Sequence, residues 1–320
     1  MARTVNIVVT CTSRKKQPSS PFLRLRSVRE RDIDTRARKW IERLRVAGPT
    51  RSASDLYSGE YWSIARRLPV VARELGITAR VWICSAGYGL ISFESQISSY
   101  SATFSPYDVD SVSRGVDADL RATAARRWWR AMCDWRGPVG NGIRSISAIA
   151  KHYPRVPLLV VASPDYLQAL EQDVREAAAA LADSDLLLIA SAGMRKFGFL
   201  TNHLLPCDAR LQSCLGGTRA SLNIRIARRV LGYMKDGVIG LNRQKLQLKR
   251  LLSKQPPIEQ YARRPMTDDQ VKSFINTELK RNQAASRSGL LRKLRDRGRA
   301  CEQSRFGALY REMVSNEKIA

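Results

Sequence analysis

Apolar residues fall into short runs that alternate with longer amphipathic stretches. Four runs of four to seven residues are apolar at nearly every position, at 6–10, 81–84, 156–162 and 186–190. Such runs are typical of strands that are buried on both faces of a sheet. Between them, apolar residues at helical spacing predict helices near residues 28–46, 60–75, 117–133, 143–152, 165–182 and 219–234. Together these patterns predict an α/β fold, a mostly parallel sheet flanked by helices.

The pattern changes after about residue 240, so we predict an α/β domain at 1–240 and a helical module with its linker at 241–320. Proline-containing segments near residues 255–257 and 263–265 indicate a linker. Thr267 and Gln270 have the spacing of a helix capping box. Two further helical stripes predict a small core made of Leu290, Leu291, Leu294, Phe306, Leu309 and Tyr310.

Three short helices around a small core suit a helix-turn-helix-like module that binds DNA. The arginines expected on its outside are Arg287, Arg292, Arg295, Arg297, Arg299 and Arg305. Such arginines would contact phosphates, so we expect weak base specificity and a strong dependence on ionic strength. The alternative is a helical bundle that docks on the α/β domain, with some of these arginines in salt bridges.

The charge balance favours a polyanionic partner. The chain has 55 Lys and Arg residues against 29 Asp and Glu, a net charge of +26. Residues 1–50 carry +9 and residues 241–320 carry +11, so the charge is concentrated toward both ends. Arginines make up 42 of the basic residues, and the planar guanidinium suits bidentate contacts to phosphate and guanine. We therefore expect double-stranded DNA as a partner.

Other features of the sequence narrow the class of protein. No apolar run approaches the ~18 residues of a membrane span, and the first residues lack the apolar region of a signal peptide. We expect a cytoplasmic, nucleoid-associated protein with six reduced cysteines and no membrane contact. No cofactor is predicted, although Cys207, Cys214 and His203 leave a zinc ion as an alternative.

Polar residues follow two of the predicted strands, where ligands bind in parallel α/β sheets. Cys11 ends the first strand beside Lys15 and Lys16, whose ammonium groups would favour a nucleophilic thiolate. The alternative is that Cys11 is a small buried apolar residue. Ser85, Gly87 and Gly89 form a small-residue turn that would let backbone N–H groups approach an anion or a polar ring.

A second glycine-rich turn precedes the helical pattern at 219–234. Gly216 and Gly217 are followed by Arg219 and Asn223, and a helix N-terminus after two glycines is a good phosphate seat. A plain loop-to-helix turn is the alternative.

The segment from Cys11 to Phe104, about a third of the chain, resembles the YaaA-like superfamily of α/β proteins. The matching pieces are Cys11-Thr12-Ser13-Arg14-Lys15, Leu56-Tyr57-Ser58-Gly59 and Ser85-Ala86-Gly87-Tyr88-Gly89-Leu90. Tyr100 lies twelve residues after Tyr88, as in that superfamily. Two departures stand out, because Ser99 replaces a proline and Ser95 replaces an acidic residue. Any chemistry that the acid performs in that superfamily is absent here.

This resemblance implies DNA binding. Within the superfamily, the length and basic C-terminal module are most similar to the member in the bacterial 7-deazaguanine DNA-modification system. It implies an enzyme that hydrates the nitrile of 7-cyano-7-deazaguanine in DNA to the 7-amido base. The partner would be double-stranded DNA that contains a modified guanine, and other proteins of the modification system would be further partners.

We therefore expect catalytic roles for Cys11, Lys15, Lys16, Tyr57, Ser85 and Tyr88. The residues expected to bind the base or phosphate are Thr12, Ser13, Gly87, Gly89, Tyr100, Gly216, Gly217, Arg219 and Asn223. Two alternatives from other classes stay open. One is a non-catalytic protein that binds double-stranded DNA, and the other is an N-glycosidase-like enzyme that processes a nucleoside or nucleotide.

Overall fold

The computed structural model describes residues 3–137, 142–193, 198–237, 239–257 and 262–317. The chain divides into two compact units. The first unit comprises Met1–Pro106 and Asp110–Pro257, and the second comprises Tyr107–Val109 and Ile258–Ala320. The division falls after Pro257 rather than after residue 240. Residues 241–253 form a helix whose apolar side chains belong to the core of the first unit.

The first unit alternates strands and helices. Its strands are β1 (Arg3–Thr10), β2 (Arg51–Ser52), β3 (Ile77–Ser85), β4 (Gly89–Ser92), β5 (Gln96–Ile97), β6 (Leu158–Val161) and β7 (Leu187–Ala190). Its helices are α1 (Ile33–Val46), α2 (Ala53–Leu56), α3 (Glu60–Glu74), α4 (Arg121–Asp134), α5 (Ile146–His152), α6 (Pro164–Ala180), α7 (Gln212–Leu215), α8 (Leu222–Lys235) and α9 (Leu241–Ser253). The four strands and six helices predicted for this part of the sequence are confirmed.

The central sheet has the strand order β4-β3-β1-β6-β7. Strands β3, β1, β6 and β7 are parallel, and β4 pairs antiparallel with β3 at one edge. Helix α3 packs on β3 and α8, whereas α4 packs on α1, α6 and β4. Because β1 is buried at every position from Val5 to Thr10, helices cover both faces of the sheet. The prediction of a mostly parallel α/β sheet flanked by helices is confirmed.

The described part of the second unit contains the helices α10 (Asp268–Arg281), α11 (Arg287–Asp296) and α12 (Gln303–Glu317). Two short strands, β8 (Arg264–Pro265) and β9 (Arg299–Ala300), pair in parallel. The predicted capping box at Thr267 and Gln270 is present at the start of α10. Five of the six predicted core side chains are buried, and the sixth, Tyr310, is half-buried and donates a hydrogen bond to the carbonyl of Ala285.

Asp173, on α6, joins three segments of the first unit. Its buried carboxylate accepts hydrogen bonds from the Nε1 of Trp129, on α4, at 2.9 Å. It also accepts bonds from the backbone N–H groups of Ile146 and Ser147 in the first turn of α5, at 2.8 and 2.9 Å. This one side chain therefore satisfies donors at the helix start that the helix itself leaves unpaired.

We expect the substitution Asp173→Ala to lower the free energy of unfolding of the first unit by about 3 kcal/mol or more, since it leaves three buried donors unpaired. All six tryptophans lie in this unit, so urea unfolding followed by tryptophan fluorescence reports on it alone. Gln172→Ala changes the exposed neighbour on the same helix and is the control. Equal unfolding midpoints for the two variants would contradict this role of Asp173.

Candidate functional site

The candidate site lies where the parallel strands of the sheet end. Cys11 follows β1, Ser85 is the last residue of β3, and Ser191 follows β7. The backbone N–H of Cys11 donates to the carbonyl of Cys84 at 3.0 Å, which extends the pairing of β1 with β3 by one bond. The structure thus brings Cys11 and Ser85 to one edge of the sheet, as parallel pairing of their strands requires.

The turn between β3 and β4 is buried, and its carbonyl groups are all paired with side chains. The carbonyl of Ala86 accepts from the Nε1 of Trp128 at 2.7 Å, and that of Gly87 accepts from the Nε1 of Trp40 at 2.8 Å. The carbonyl of Tyr88 accepts from the guanidinium of Arg144 at 2.6 Å. Burial lowers the pKa of Arg144 to about 10, so this cation stays charged at neutral pH.

The backbone N–H groups of the same turn point inward. Those of Gly87 and Tyr88 donate to the Oγ of Ser85 at 3.3 and 3.0 Å. The small residues of the turn predict N–H groups that receive an anion or a polar ring, but the Ser85 hydroxyl already accepts from them. The turn therefore acts as a rigid support for the neighbouring side chains.

Both predicted glycines of this turn are required by close packing. A Cβ atom on Gly87 would lie 2.4 Å from the ring of Tyr100, and one on Gly89 would lie 2.6 Å from the carbonyl oxygen of Met132. Gly89 also has a φ of 71°, which favours glycine. Gly87 thus lets the Tyr100 ring approach the end of β3 closely.

Tyrosine hydroxyl groups form a buried chain beside Ser85. The hydroxyl of Tyr100 lies 2.7 Å from the Oγ of Ser85 and 2.9 Å from the hydroxyl of Tyr57. The ring of Tyr88 packs edge-on against Tyr100, with centroids 5.2 Å apart. Burial raises the pKa of Tyr57 and of Tyr100 well above the usual value of 10, and that of Tyr88 to about 12. These hydroxyls are therefore neutral proton donors at any physiological pH.

Cys11 lies next to this chain. Its side chain is 7% exposed, and its Sγ is 3.1 Å from the hydroxyl of Tyr166, in the first turn of α6. Burial raises the pKa of Tyr166 well above 10, and the nearby sulfur of Cys11 raises it further. The thiol and a neutral phenol thus form a hydrogen-bonded pair.

Lys15 brings a positive charge to the same cluster. Its Nζ lies 4.3 Å from the ring centroid of Tyr100 and 5.6 Å from that of Tyr57, within the range of a cation–π contact. The backbone of Lys15 pairs with that of Tyr57, which fixes the segment after β1 against the segment before α3. The structure therefore brings five of the predicted site residues together in one cluster: Cys11, Lys15, Tyr57, Ser85 and Tyr100.

The remaining predicted residues near Cys11 lie at the surface or have structural partners. The Nζ of Lys16 is 3.9 Å from the carboxylate of Asp55, and both side chains are exposed. The Oγ1 of Thr12 donates to the carbonyl groups of Arg14 and Ser58, while Ser13 is exposed. The structure does not bring Lys16 to the cluster.

Ser95 and Ser99, which replace the acid and the proline of the YaaA-like pattern respectively, are both buried. The Oγ of Ser95 accepts from the backbone N–H of Ser92 at 3.0 Å, and that of Ser99 donates to the carbonyl of Gln17 at 2.7 Å. Both hydroxyls therefore hold loops in place.

An acid already occupies the predicted phosphate seat at Gly216 and Gly217. The carboxylate of Glu60, the first residue of α3, accepts from the backbone N–H of Thr218 at 3.3 Å and from its hydroxyl at 2.7 Å. Arg225 forms a 2.5 Å ion pair with the same carboxylate. A phosphate at this position would have to displace Glu60.

Asn223 and Arg219 have different surroundings. The Oδ1 of Asn223 accepts from the backbone N–H of Ala192 at 2.6 Å, and its Nδ2 donates to the carbonyl of Ala162 at 3.1 Å. Asn223 therefore links the segments that follow β6 and β7 at the edge where the candidate site lies. Arg219 is exposed.

Three residues of these clusters are not predicted from the sequence: Tyr166, Glu60 and Arg225. Tyr166 is separated from Cys11 by 155 residues, and Glu60 from Arg225 by 165. The available signal for Tyr166 was its position in the helix start that follows the third predicted strand, since strand ends and helix starts share this edge of the sheet. No local pattern marks the pairing of Glu60 with Arg225.

The predicted DNA-binding arginines divide into two groups. Arg297 is paired with Glu278 at 3.0 Å and Arg305 with Asp268 at 2.6 Å, both within the second unit. The other four of the six form no ion pair in the described ranges: Arg287, Arg292, Arg295 and Arg299.

Comparison with protein-family models, curated proteins and solved structures finds no match for this chain. Within the ranges that the structure describes, no three His, Cys, Asp or Glu side chains are grouped so that they could hold a metal ion. In the same ranges, no helix combines the length and apolarity needed to cross a bilayer.

The Glu60 cluster predicts a dependence of stability on pH. Hydrogen bonds from Thr218 and Arg225 lower the pKa of Glu60 from 4.5 to about 2. A carboxyl with a lowered pKa stabilises the fold above its unfolded pKa, and this stabilisation is lost as the pH falls from about 4.5 toward 2. We therefore expect the thermal midpoint of Glu60→Gln to fall less steeply than that of the wild type over this interval.

Differential scanning fluorimetry with the tryptophan signal at several pH values provides the measurement. The matched control is Glu74→Gln, which changes an exposed carboxylate at the other end of α3. If Glu60→Gln and the wild type lose stability in parallel, the Glu60 cluster does not stabilise the folded state.

Proposed function

We propose that this chain is a DNA-binding enzyme that hydrates the nitrile of 7-cyano-7-deazaguanine in DNA, giving the 7-amido base. The observation that supports it most directly is the pair formed by the Cys11 thiol and the Tyr166 hydroxyl at the edge of the sheet. Nitrile hydration needs a nucleophile that attacks the nitrile carbon and a donor that protonates the nitrile nitrogen, and this pair supplies both. The resemblance to the YaaA-like superfamily, and within it to DpdC of the 7-deazaguanine system, points to the same reaction.

The proposed reaction begins with attack of the Cys11 sulfur on the nitrile carbon. A carbon–sulfur bond forms, and the proton of the thiol passes to the nitrile nitrogen through the hydroxyl of Tyr166, which leaves a thioimidate. Because the pKa of Tyr166 is raised by burial, this phenol gives up a proton only as it receives another. Lys15, beside the Tyr57 and Tyr100 rings, adds a positive charge to the cluster in which this step takes place.

Water then adds to the thioimidate carbon. One proton of the water goes to the nitrogen, giving an amino group, and the oxygen stays on carbon. The carbon–sulfur bond breaks as the carbonyl forms, and the second proton returns to the sulfur. The sum of the steps is one nitrile and one water converted to one amide, with Cys11 regenerated. Neither an oxidant nor a reductant is required.

The tyrosine cluster would hold the substrate base. A purine-like ring can stack on an aromatic side chain, and a buried hydroxyl can donate to a ring nitrogen or carbonyl. The 7-substituent projects into the major groove of duplex DNA, so the nitrile could be reached there or after base flipping. The small exposed area of Cys11 favours flipping, because an intact duplex is too wide to reach a nearly buried thiol.

A non-catalytic protein that binds double-stranded DNA is the second candidate. The observation that favours it is that Ser85, Tyr57 and Tyr100 satisfy one another's hydroxyl groups in the interior, as structural polar networks do. In that case the function would be DNA binding alone, through contacts of the basic side chains, which give the chain its net charge of +26, with phosphates. The two candidates differ in whether any substrate is consumed.

We expect Cys11→Ala and Cys11→Ser to reduce nitrile hydration by at least about a thousandfold, since both remove the nucleophile. The measurement is mass spectrometry of nucleosides from DNA that contains 7-cyano-7-deazaguanine, before and after incubation with the full-length protein. A gain of one water shows hydration, whereas loss of the base shows glycosidase action.

Cys214→Ser, which changes an exposed cysteine, is the matched control and should keep the wild-type rate. A Cys11 variant that hydrates the base at the wild-type rate would refute the thiolate route. A wild-type protein that binds DNA and leaves the base unchanged would favour the non-catalytic candidate.

A further inference from the structure

The acids of the second unit neutralise a particular set of its basic side chains. Glu278, on α10, is only 3% exposed and lies within 4 Å of Arg281, Lys293 and Arg297. The hydrogen bond from Lys293 lowers the pKa of Glu278, and the charges of Lys293, Arg297 and Arg281 add to this effect. The pairs with Lys293 and Arg297 join α10 to α11 and to its C-terminal end, whereas Arg281 lies on α10 itself. The positive charge around Glu278 is therefore partly neutralised inside the second unit.

A different set of basic side chains surrounds a cavity of about 270 Å³ in the same unit. Arg292 and Arg295 lie three residues apart on α11, so they share one side of the helix. Arg263, from the segment before β8, lines the cavity from another element. The polar side chains of Ser288, at the start of α11, and Gln303, at the start of α12, also line it.

The electrostatics of this cavity favour an anion. Three arginine residues line it and only one acidic residue, Asp296. Arg292 and Arg295 form no ion pair in the ranges that the structure describes, whereas Arg297 and Arg305 do. A hydrogen bond of 3.4 Å to the carbonyl of Cys301 fixes one nitrogen of Arg295 and orients its guanidinium. Arginine donors in a planar fork match the oxygens of a phosphate.

We propose that this cavity is a seat for a backbone phosphate of duplex DNA, bound by Arg292 and Arg295. This inference rests on the DNA binding of the proposed function, and it narrows the six arginines expected from the sequence. Arg297 and Arg305 hold the helices of the module together, and the phosphate contact falls to the side chains around the cavity. Since a phosphate carries no base identity, the seat positions the module on DNA without selecting a sequence.

The test compares two double variants of the full-length protein that each remove two positive charges. The first is Arg292→Gln with Arg295→Gln, which empties the cavity of two of its donors. The control is Lys280→Gln with Arg311→Gln, which changes exposed side chains that lie on α10 and α12 and do not line the cavity. Affinity for an unmodified duplex is measured by fluorescence anisotropy over a series of salt concentrations.

We expect the cavity variant to bind the duplex at least about tenfold more weakly than the control, because charge-assisted hydrogen bonds are lost as well as charge. The slope of its plot of log affinity against log salt should be smaller in magnitude by roughly 0.9, which corresponds to the loss of one phosphate contact. Arg292→Lys with Arg295→Lys keeps both charges and should recover only part of the affinity, since lysine lacks the planar fork. Circular dichroism of each variant shows whether the helices are intact.

Equal affinity and equal salt dependence in the cavity and control variants would overturn the phosphate seat. That result leaves the proposed reaction standing, because turnover is measured separately on modified DNA. A wild-type protein that binds no duplex, or that prefers single-stranded RNA, would overturn the seat for DNA. Hydration of the nitrile in DNA by wild-type protein, with unaltered binding by the cavity variant, would refute the seat alone.

Discussion

The candidate site depends on how the buried turn between β3 and β4 satisfies its backbone. Carbonyl groups in a turn cannot pair with a neighbouring strand, and burial removes water as a partner. Here the carbonyls of Ala86, Gly87 and Tyr88 accept from three side chains on three other segments. Two of the donors are the Nε1 groups of Trp128 and Trp40, and the third is Arg144. The turn is therefore held by α4, by α1 and by the segment before α5.

This arrangement determines where the tyrosines lie. With the turn fixed, the Ser85 hydroxyl accepts from the N–H groups of Gly87 and Tyr88 and faces the hydroxyl of Tyr100. The absence of a side chain at Gly87 leaves room for the Tyr100 ring. Tyr100 then contacts Tyr57 and Lys15, and so the cluster extends from the end of β3 toward the segment after β1. Loss of one of the side chains that donate to the turn carbonyls would therefore shift Tyr100, although those side chains act on it through the turn.

Much of this architecture could be predicted from the sequence, for a physical reason. The strands are apolar on both faces, so each appears as a short apolar run, and parallel pairing brings their carboxyl ends to one edge. That is enough to place Cys11 and Ser85 together. The C-terminal core was predictable because three amphipathic stripes and a capping box are local signals. The change of pattern near residue 240 does not mark the end of the first unit, because the exposed side chains of α9 are basic like those of the module whereas its apolar residues pack on the first unit.

What local pattern could not predict is the pairing of charges and hydroxyls between distant segments. Glu60 pairs with Arg225 and Cys11 with Tyr166 across more than 150 residues. No spacing of residue types along the sequence indicates either pair. The same limit applies in the second unit. Arg292 and Arg297 lie only five residues apart and are counted from the sequence as equivalent positive charges, but their surroundings differ. Glu278 distinguishes them, because its buried carboxylate binds Arg297, whereas Arg292 forms no ion pair in the described ranges. A few buried acids therefore decide which of the many basic side chains remain available to an anionic partner, and net charge alone cannot reveal that choice.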